Sequence, residues 1–164
     1  MKNSGFTLIE LLVTMVVMSI LIAVGVPSFN HMILKYSVNG DRDTLFNSLI
    51  YARTEAIKRG QTISICKSIN LSTCDTSAAW NDGWIVFEDT NGNGALSGET
   101  ILRVQDALKR DMSVSFDGGD FVTFDGLGKA SDTSGTFSFS HSSADTAYDR
   151  TVTLSSTGRS RKAS

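Results

Sequence analysis

The chain has 164 residues, 41% hydrophobic and 20% charged, with a formal net charge of −2 and a single proline. That length suits one domain and is too short for two comfortable ones. The charge balance excludes a polycation, so any nucleic-acid contact needs a local basic patch rather than a global field.

Met1 to Gly5 is short and polar, with Lys2 as its positive charge. Phe6 to Val26, FTLIELLVTMVVMSILIAVGV, is almost wholly apolar and long enough to span a bilayer as a helix. A secretory signal carries its small-residue cleavage site after the apolar core. Here the small residue, Gly5, stands before it, and cutting after Gly5 would leave the hydrophobic helix on the mature chain. Glu10 breaks the apolar run, where a carboxylate is costly and usually marks function. Two readings stay open: it meets the α-amine of a neighbouring subunit whose chain begins at Phe6, or it snorkels to lipid headgroups.

The run Gly5-Phe6-Thr7-Leu8-Ile9-Glu10-Leu11 resembles the GFTLIE signature of type IV pilins and pseudopilins. The resemblance implies cleavage after Gly5 by a prepilin peptidase, N-methylation of Phe6, and guidance of filament docking by Glu10. Pro27 resembles the helix-weakening residues near the end of the pilin membrane segment, where its ring and missing N–H loosen the helix.

Beyond the apolar run, Phe29, Met32, Ile33 and Tyr36 keep helical spacing. Leu45, Leu49, Ala52 and Ala56 then form one stripe, with Phe46, Ile50 and Ile57 beside it. The stripe reads as core that covers a sheet, with Arg53 and Glu55 as solvated charges. The polar stretch around Gly40 predicts a bend or local weakening. Lys58 and Arg59 suit a helix C-terminus, and Gly60 reads as its left-handed stop. The pattern then turns to period two. Strands are predicted at Thr62–Lys67, Trp84–Glu88, Ile101–Gln105, Ser113–Phe116, Phe121–Phe124, Thr136–Phe139 and Arg150–Ser155, with loops at Ser131–Gly135 and His141–Asp149. The expected fold is α+β and pilin-like, a long N-terminal helix laid on antiparallel sheet. Its expected organisation is a leader (1–5), a membrane and filament-core helix (6–27), an amphipathic continuation (28–60) and a β-rich periplasmic domain (61–164).

A second block narrows the family. Tyr51 to Gly60 (YARTEAIKRG), Trp80 to Phe87 (WNDGWIVF) and Glu99 to Arg103 resemble segments of the FimT, FimU and GspH group of minor pilins and pseudopilins. The resemblance implies a low-abundance subunit of the inner membrane with a periplasmic domain, one that primes or caps a filament. Its implied partners are other major and minor pilins, the prepilin peptidase and the inner-membrane assembly platform. An exported setting also favours a disulfide between Cys66 and Cys74, the only cysteines, over two free buried thiols.

Asp89-Thr90-Asn91-Gly92-Asn93-Gly94 opens like a calcium loop, with oxygen side chains at alternate positions. The acid that should close it, Glu99, falls one residue early, and both flanks read as strands. A polar hairpin turn is the favoured reading, so neither a metal nor a cofactor is expected. The only histidines, His31 and His141, lack any nucleophile or metal spacing, and the chain reads as no enzyme.

After the last predicted strand comes Thr157-Gly158-Arg159-Ser160-Arg161-Lys162-Ala163-Ser164. It reads as a basic segment whose cations could reach separate phosphates, giving sequence-independent, salt-sensitive DNA binding, or else as a solvated basic terminus. Arg159 and Arg161 match the GRxR motif of FimT-like minor pilins, which implies a DNA receptor in natural transformation, with Lys162 beside them. Lys129 and Arg150 would extend the patch if the fold brought them near. The alternative class is a type II secretion pseudopilin with protein partners only.

Overall fold

The computed structural model describes residues 7–108, 111–130, 132–142 and 146–163. Helix α1 runs Leu8–Arg59 and is followed by strands β1 (Ile63–Lys67), β2 (Trp84–Glu88), β3 (Ile101–Gln105), β4 (Met112–Phe116), β5 (Phe121–Phe124), β6 (Gly135–His141), β7 (Arg150–Leu154) and β8 (Ser160–Ala163). Short 3-10 turns lie at Trp80–Asp82 and Thr146–Tyr148, the second inside a predicted loop. The chain divides into two units between Tyr36 and Ser37.

In the first unit the helix buries almost nothing of itself. Leu8, Leu12, Val16, Met18, Leu21, Phe29 and Tyr36 all stay exposed. An apolar surface on all sides needs lipid or other helices to cover it. Among the described residues, which exclude Phe6, no helix is long and apolar enough to cross a membrane. Neither Pro27 nor Gly40 ends the helix, so the weakening expected there does not divide it. Gly60 takes a φ of 63°, the left-handed stop expected of it.

In the second unit the helix covers two four-stranded antiparallel sheets. Sheet A has the order β3-β2-β1-β5 and sheet B the order β4-β6-β7-β8. The predicted stripe, Leu45, Leu49, Ala52 and Ala56, is fully buried. Strand β1 is buried along its whole length and β2 nearly so, as a central strand covered on both faces must be. Sheet B alternates instead: Val114, Phe137, Phe139, Val152 and Leu154 face inward, and the residues between them face water. Trp80 sets its edge against Phe137 at 5.0 Å and closes one end of this core.

Ionic and aromatic contacts tie the helix to both sheets. Arg59 bridges Glu55 and Glu88, joining the end of α1 to β2, and Arg103 of β3 lies over the Tyr51 ring. Arg150 of β7 reaches Asn39 Oδ1 at 3.2 Å. Glu55 is therefore buried rather than solvated, and the Arg59 guanidinium beside it holds its carboxyl below the usual range. Cys66 and Cys74 form a disulfide, with a Cα separation of 5.6 Å. Cys66 packs with Ile85 and Phe87, and Leu96 and Phe121 flank the group.

Candidate functional site

The basic segment does not form a loose terminus. Residues Ser160–Ala163 form β8, paired antiparallel with β7 in the register Leu154↔Ser160, Thr153↔Arg161, Val152↔Lys162 and Thr151↔Ala163. Cross-strand partners point to the same side of a sheet. Lys162 therefore shares the inward face of buried Val152, and Arg161 shares the water-facing side of Thr153. Lys162 is thereby set apart from the two GRxR arginines. Arg161 looks outward, Arg159 is exposed in the turn before β8, and Lys162 turns toward α1.

Lys162 is held on the helix. Its Nζ lies 2.9 Å from Asp43 Oδ1 and 4.4 Å from the centre of the Phe46 ring. The hydrogen bond from Lys162, helped by Arg42, holds the Asp43 carboxyl below the ordinary aspartate value of 3.8. A depressed carboxylate pKa means that the folded chain releases the proton more readily than the unfolded one. The stabilisation is present above about pH 3.8 and is lost as pH falls through the lower folded value. Replacing Lys162 by methionine is expected to cost about 1 kcal/mol at pH 7, from a half-exposed ion pair and a cation–π contact. The difference from the parent chain should shrink in urea unfolding near pH 3. An unchanged stability with a lost DNA affinity would show that Lys162 serves the ligand instead.

The turn that carries Arg159 is built tightly. Ser155 N donates to Arg159 O at 3.0 Å and Gly158 N to Ser155 O at 2.8 Å. Gly158 has a φ of 75°, and a Cβ placed on it would lie 1.9 Å from the Gly128 carbonyl oxygen. That oxygen also accepts a hydrogen bond from Arg53 Nε at 3.0 Å, while Arg53 Nη2 donates to Thr157 O at 3.2 Å. The motif glycine thus permits a close approach between the hairpin and the loop after β5, rather than freeing the neighbouring cations to swing. Arg53, read from sequence as a solvated charge, is the clasp between α1 and both loops.

Of the two cations that could extend the patch, Lys129 lies beside the turn. It is exposed, and the next residue, Ala130, bonds Ser156 O through its N–H at 3.0 Å. Arg150 does not join it. It is buried, with its guanidinium on Asn39 and on the carbonyls of Ala147 and Asp149. Among the described residues neither Arg159 nor Arg161 makes an ion pair.

At the other end of the chain Gly5 and Phe6 lie outside the described residues. Glu10 accepts hydrogen bonds from Thr7 N at 3.0 Å and Thr7 Oγ1 at 2.9 Å, and its own N–H donates to Thr7 Oγ1 at 3.3 Å. This is a reciprocal capping box on the first turn of α1. The Thr-x-x-Glu spacing that signals it was readable within the signature.

The Asp89 loop spends its oxygens on its own backbone and on Ser64 of β1. Buried Asp89 accepts from Ser64 Oγ at 2.6 Å, Gly94 N at 2.9 Å and Asn93 N at 3.2 Å. Asn93 Oδ1 accepts from Ala95 N. Oxygens so occupied knit a turn, and no cluster of His, Cys, Asp or Glu suited to a metal exists among the described residues.

Residues 42–158 match the family described as Type II transport protein GspH, and residues 1–26 match the prokaryotic N-terminal methylation motif. No curated protein matches. The fold resembles the type IV minor pilin FimU of Pseudomonas aeruginosa, at a TM-score of 0.60 and 21% identity over 79% of this chain and 90% of that one. It also resembles the minor pseudopilin EpsH from the type 2 secretion system of Vibrio cholerae, at a TM-score of 0.57 and 15% identity over 78% of this chain and 97% of that one.

Proposed function

Because the chain belongs to the GspH family of type II transport proteins, we propose that it is a membrane-anchored minor type IV pilin that helps prime or cap the filament and binds DNA through Arg159 and Arg161. Its role is structural and non-enzymatic, and it works with other pilins. The apolar run Phe6–Val26 and the methylation-motif match support cleavage between Gly5 and Phe6, methylation of Phe6 and anchoring in the inner membrane, with the second unit in the periplasm. Prepilin peptidase and the inner-membrane assembly platform are the partners these steps require. Once cleavage frees the Phe6 amine, Glu10 is the carboxylate placed to meet the amine of a neighbouring subunit.

The observation that carries the DNA reading is the pair of exposed arginines on one ordered hairpin, neither ion-paired among the described residues, with Lys162 withdrawn as its anchor. Each phosphate neutralised releases counterions, so affinity falls with salt and carries no sequence preference. Titration of the full chain in uncharged detergent with labelled duplex should show that falling slope. The double variant Arg159→Ala, Arg161→Ala should flatten it by about 1.8, or about 0.9 for each phosphate contact. An unchanged slope removes the hairpin from DNA binding.

The family description, type II transport, favours a second reading: a pseudopilus subunit with protein partners only. A deletion strain separates the two. Lost transformation or twitching supports the pilus, and lost exoprotein secretion supports the pseudopilus.

A further inference from the structure

A sheet ends in two strands whose outer backbone edges lack partners, and native proteins cover or blunt such edges. Three of the four edges here are managed. On β5, Thr133 Oγ1 accepts a hydrogen bond from Thr123 N at 3.0 Å and donates to Thr123 O at 3.3 Å. On β4, Asn81 Oδ1 accepts from Val114 N at 3.4 Å. The β8 edge carries Arg161 and Lys162, charges that discourage another strand.

Strand β3 lacks these devices. Among the described residues its one paired neighbour is β2, and no loop or side chain bonds its outer backbone edge. Its apolar residues stand open, with Ile101 39% exposed and Val104 46%. A bulge aims them. Val104 pairs with Ile85 and Arg103 with Val86, but Ile101 pairs with Phe87, so Leu102 is the extra residue. Residues three apart in a regular strand take opposite faces. Here Ile101 and Val104 share the side of Ile85 and Phe87, where Cys66 packs. A bulge can blunt an edge, yet this one gathers two aliphatic side chains beside bare backbone. Arg103, the only charge in β3, takes the other side. It is exposed, lies over the Tyr51 ring at 5.5 Å, and makes no ion pair among the described residues.

The edge chemistry selects its occupant. A row of unpaired N–H and C=O groups is satisfied by another extended polypeptide that adds as a strand. Its alternate side chains would fall beside Ile101 and Val104, where apolar groups are covered, and beside Arg103, where an acid is neutralised. A second copy fits poorly, because full antiparallel overlap of two β3 strands sets Arg103 opposite Arg103. We propose that β3 receives a strand from another filament subunit, apolar on one side and acidic on the side that meets Arg103. The inference rests on the reading of the chain as a filament subunit. It serves the pilus and pseudopilus versions alike and is independent of DNA.

The test uses the full chain in uncharged detergent and a labelled synthetic peptide that alternates valine with threonine and carries glutamate at its centre. That peptide should bind, and a counterpart with lysine at the centre should bind about threefold more weakly. Arg103→Glu should reverse the order. Val104→Lys should weaken both about tenfold. Methylating two adjacent backbone nitrogens blocks both edges of the peptide and should abolish binding. In a deletion strain, Val104→Lys should fail to restore the pili or the secretion that the parent chain restores. Should Val104→Lys unfold, Ile101→Lys takes its place. A peptide that ignores the parent chain, binds Val104→Lys equally or tolerates methylation overturns the strand addition. If the deletion strain still loses pili or secretion, the subunit reading stands; if it loses neither, both fall. An unchanged order with Arg103→Glu overturns the acidic partner. Parent dimers that Val104→Lys dissociates, with no peptide bound, would name a second copy as the occupant and overturn the proposal as well.

Discussion

Replacing Gly158 with alanine should be the most damaging single change in the basic hairpin. Two penalties add. A φ of 75° is strained for a residue with a side chain, at about 1 to 2 kcal/mol. The added Cβ would also stand 1.9 Å from the Gly128 carbonyl, so one of the two loops must move. Movement of Gly128 takes its carbonyl from Arg53 Nε, and movement of the hairpin takes Thr157 O from Arg53 Nη2. The expected loss is about 3 to 5 kcal/mol, or about 10 °C in Tm for a chain of this size. Tryptophan fluorescence can follow the transition, since Trp80 and Trp84 are both buried in the second unit. Gly60→Ala is the comparator: its φ of 63° is similar but nothing lies within 4 Å of its Cβ position. It should cost only about 1 kcal/mol. Equal losses at the two glycines would show that the close approach is not what Gly158 provides.

The second large effect is expected at the disulfide. Cys66 and Cys74 close a loop of sequence separation 8, and Cys66 is buried against Ile85 and Phe87. Replacing both cysteines by serine should cost about 2 to 4 kcal/mol. Part of that is unfolded-chain entropy, and part is two hydroxyls left in an apolar setting. Thermal unfolding of the parent chain with and without reductant should show a comparable drop of about 5 to 10 °C. A double-serine variant as stable as the parent would mean that the surrounding loop holds itself. Its internal bonds give it some means, since Ser68 Oγ donates to Thr73 O at 2.7 Å and Thr73 N to Asn70 Oδ1 at 3.0 Å.

The helix and seven of the strands were legible because their signals are local. Leu45, Leu49, Ala52 and Ala56 repeat at helical spacing, and the strands alternate or run apolar between turn residues. The split into two sheets was not legible, because pairing is long-range: β1 takes β5 as its neighbour across the whole of β2 to β4. Strand β8 was missed because SRKA has no apolar pattern of its own and is a strand only through β7. The same gap hid the fate of the cations. Nothing near Lys162 in sequence reveals Asp43 or Phe46, and nothing near Arg53 reveals Gly128 or Thr157. Glu55 looked solvated because its burial depends on where Arg59 and Glu88 stand in the fold. The polar alternation of β4, β6 and β7 was present in the sequence, but only strand register turns it into a surface.

The clasp formed by Arg53 has a mechanical consequence. A tug on the basic hairpin need not peel β8 from β7 one hydrogen bond after another. It can pass through Arg53 at the tip and through the Lys162–Asp43 pair further along. Both routes end on α1, so tension is shared between two anchor points on one rigid rod instead of unzipping a sheet from its rim.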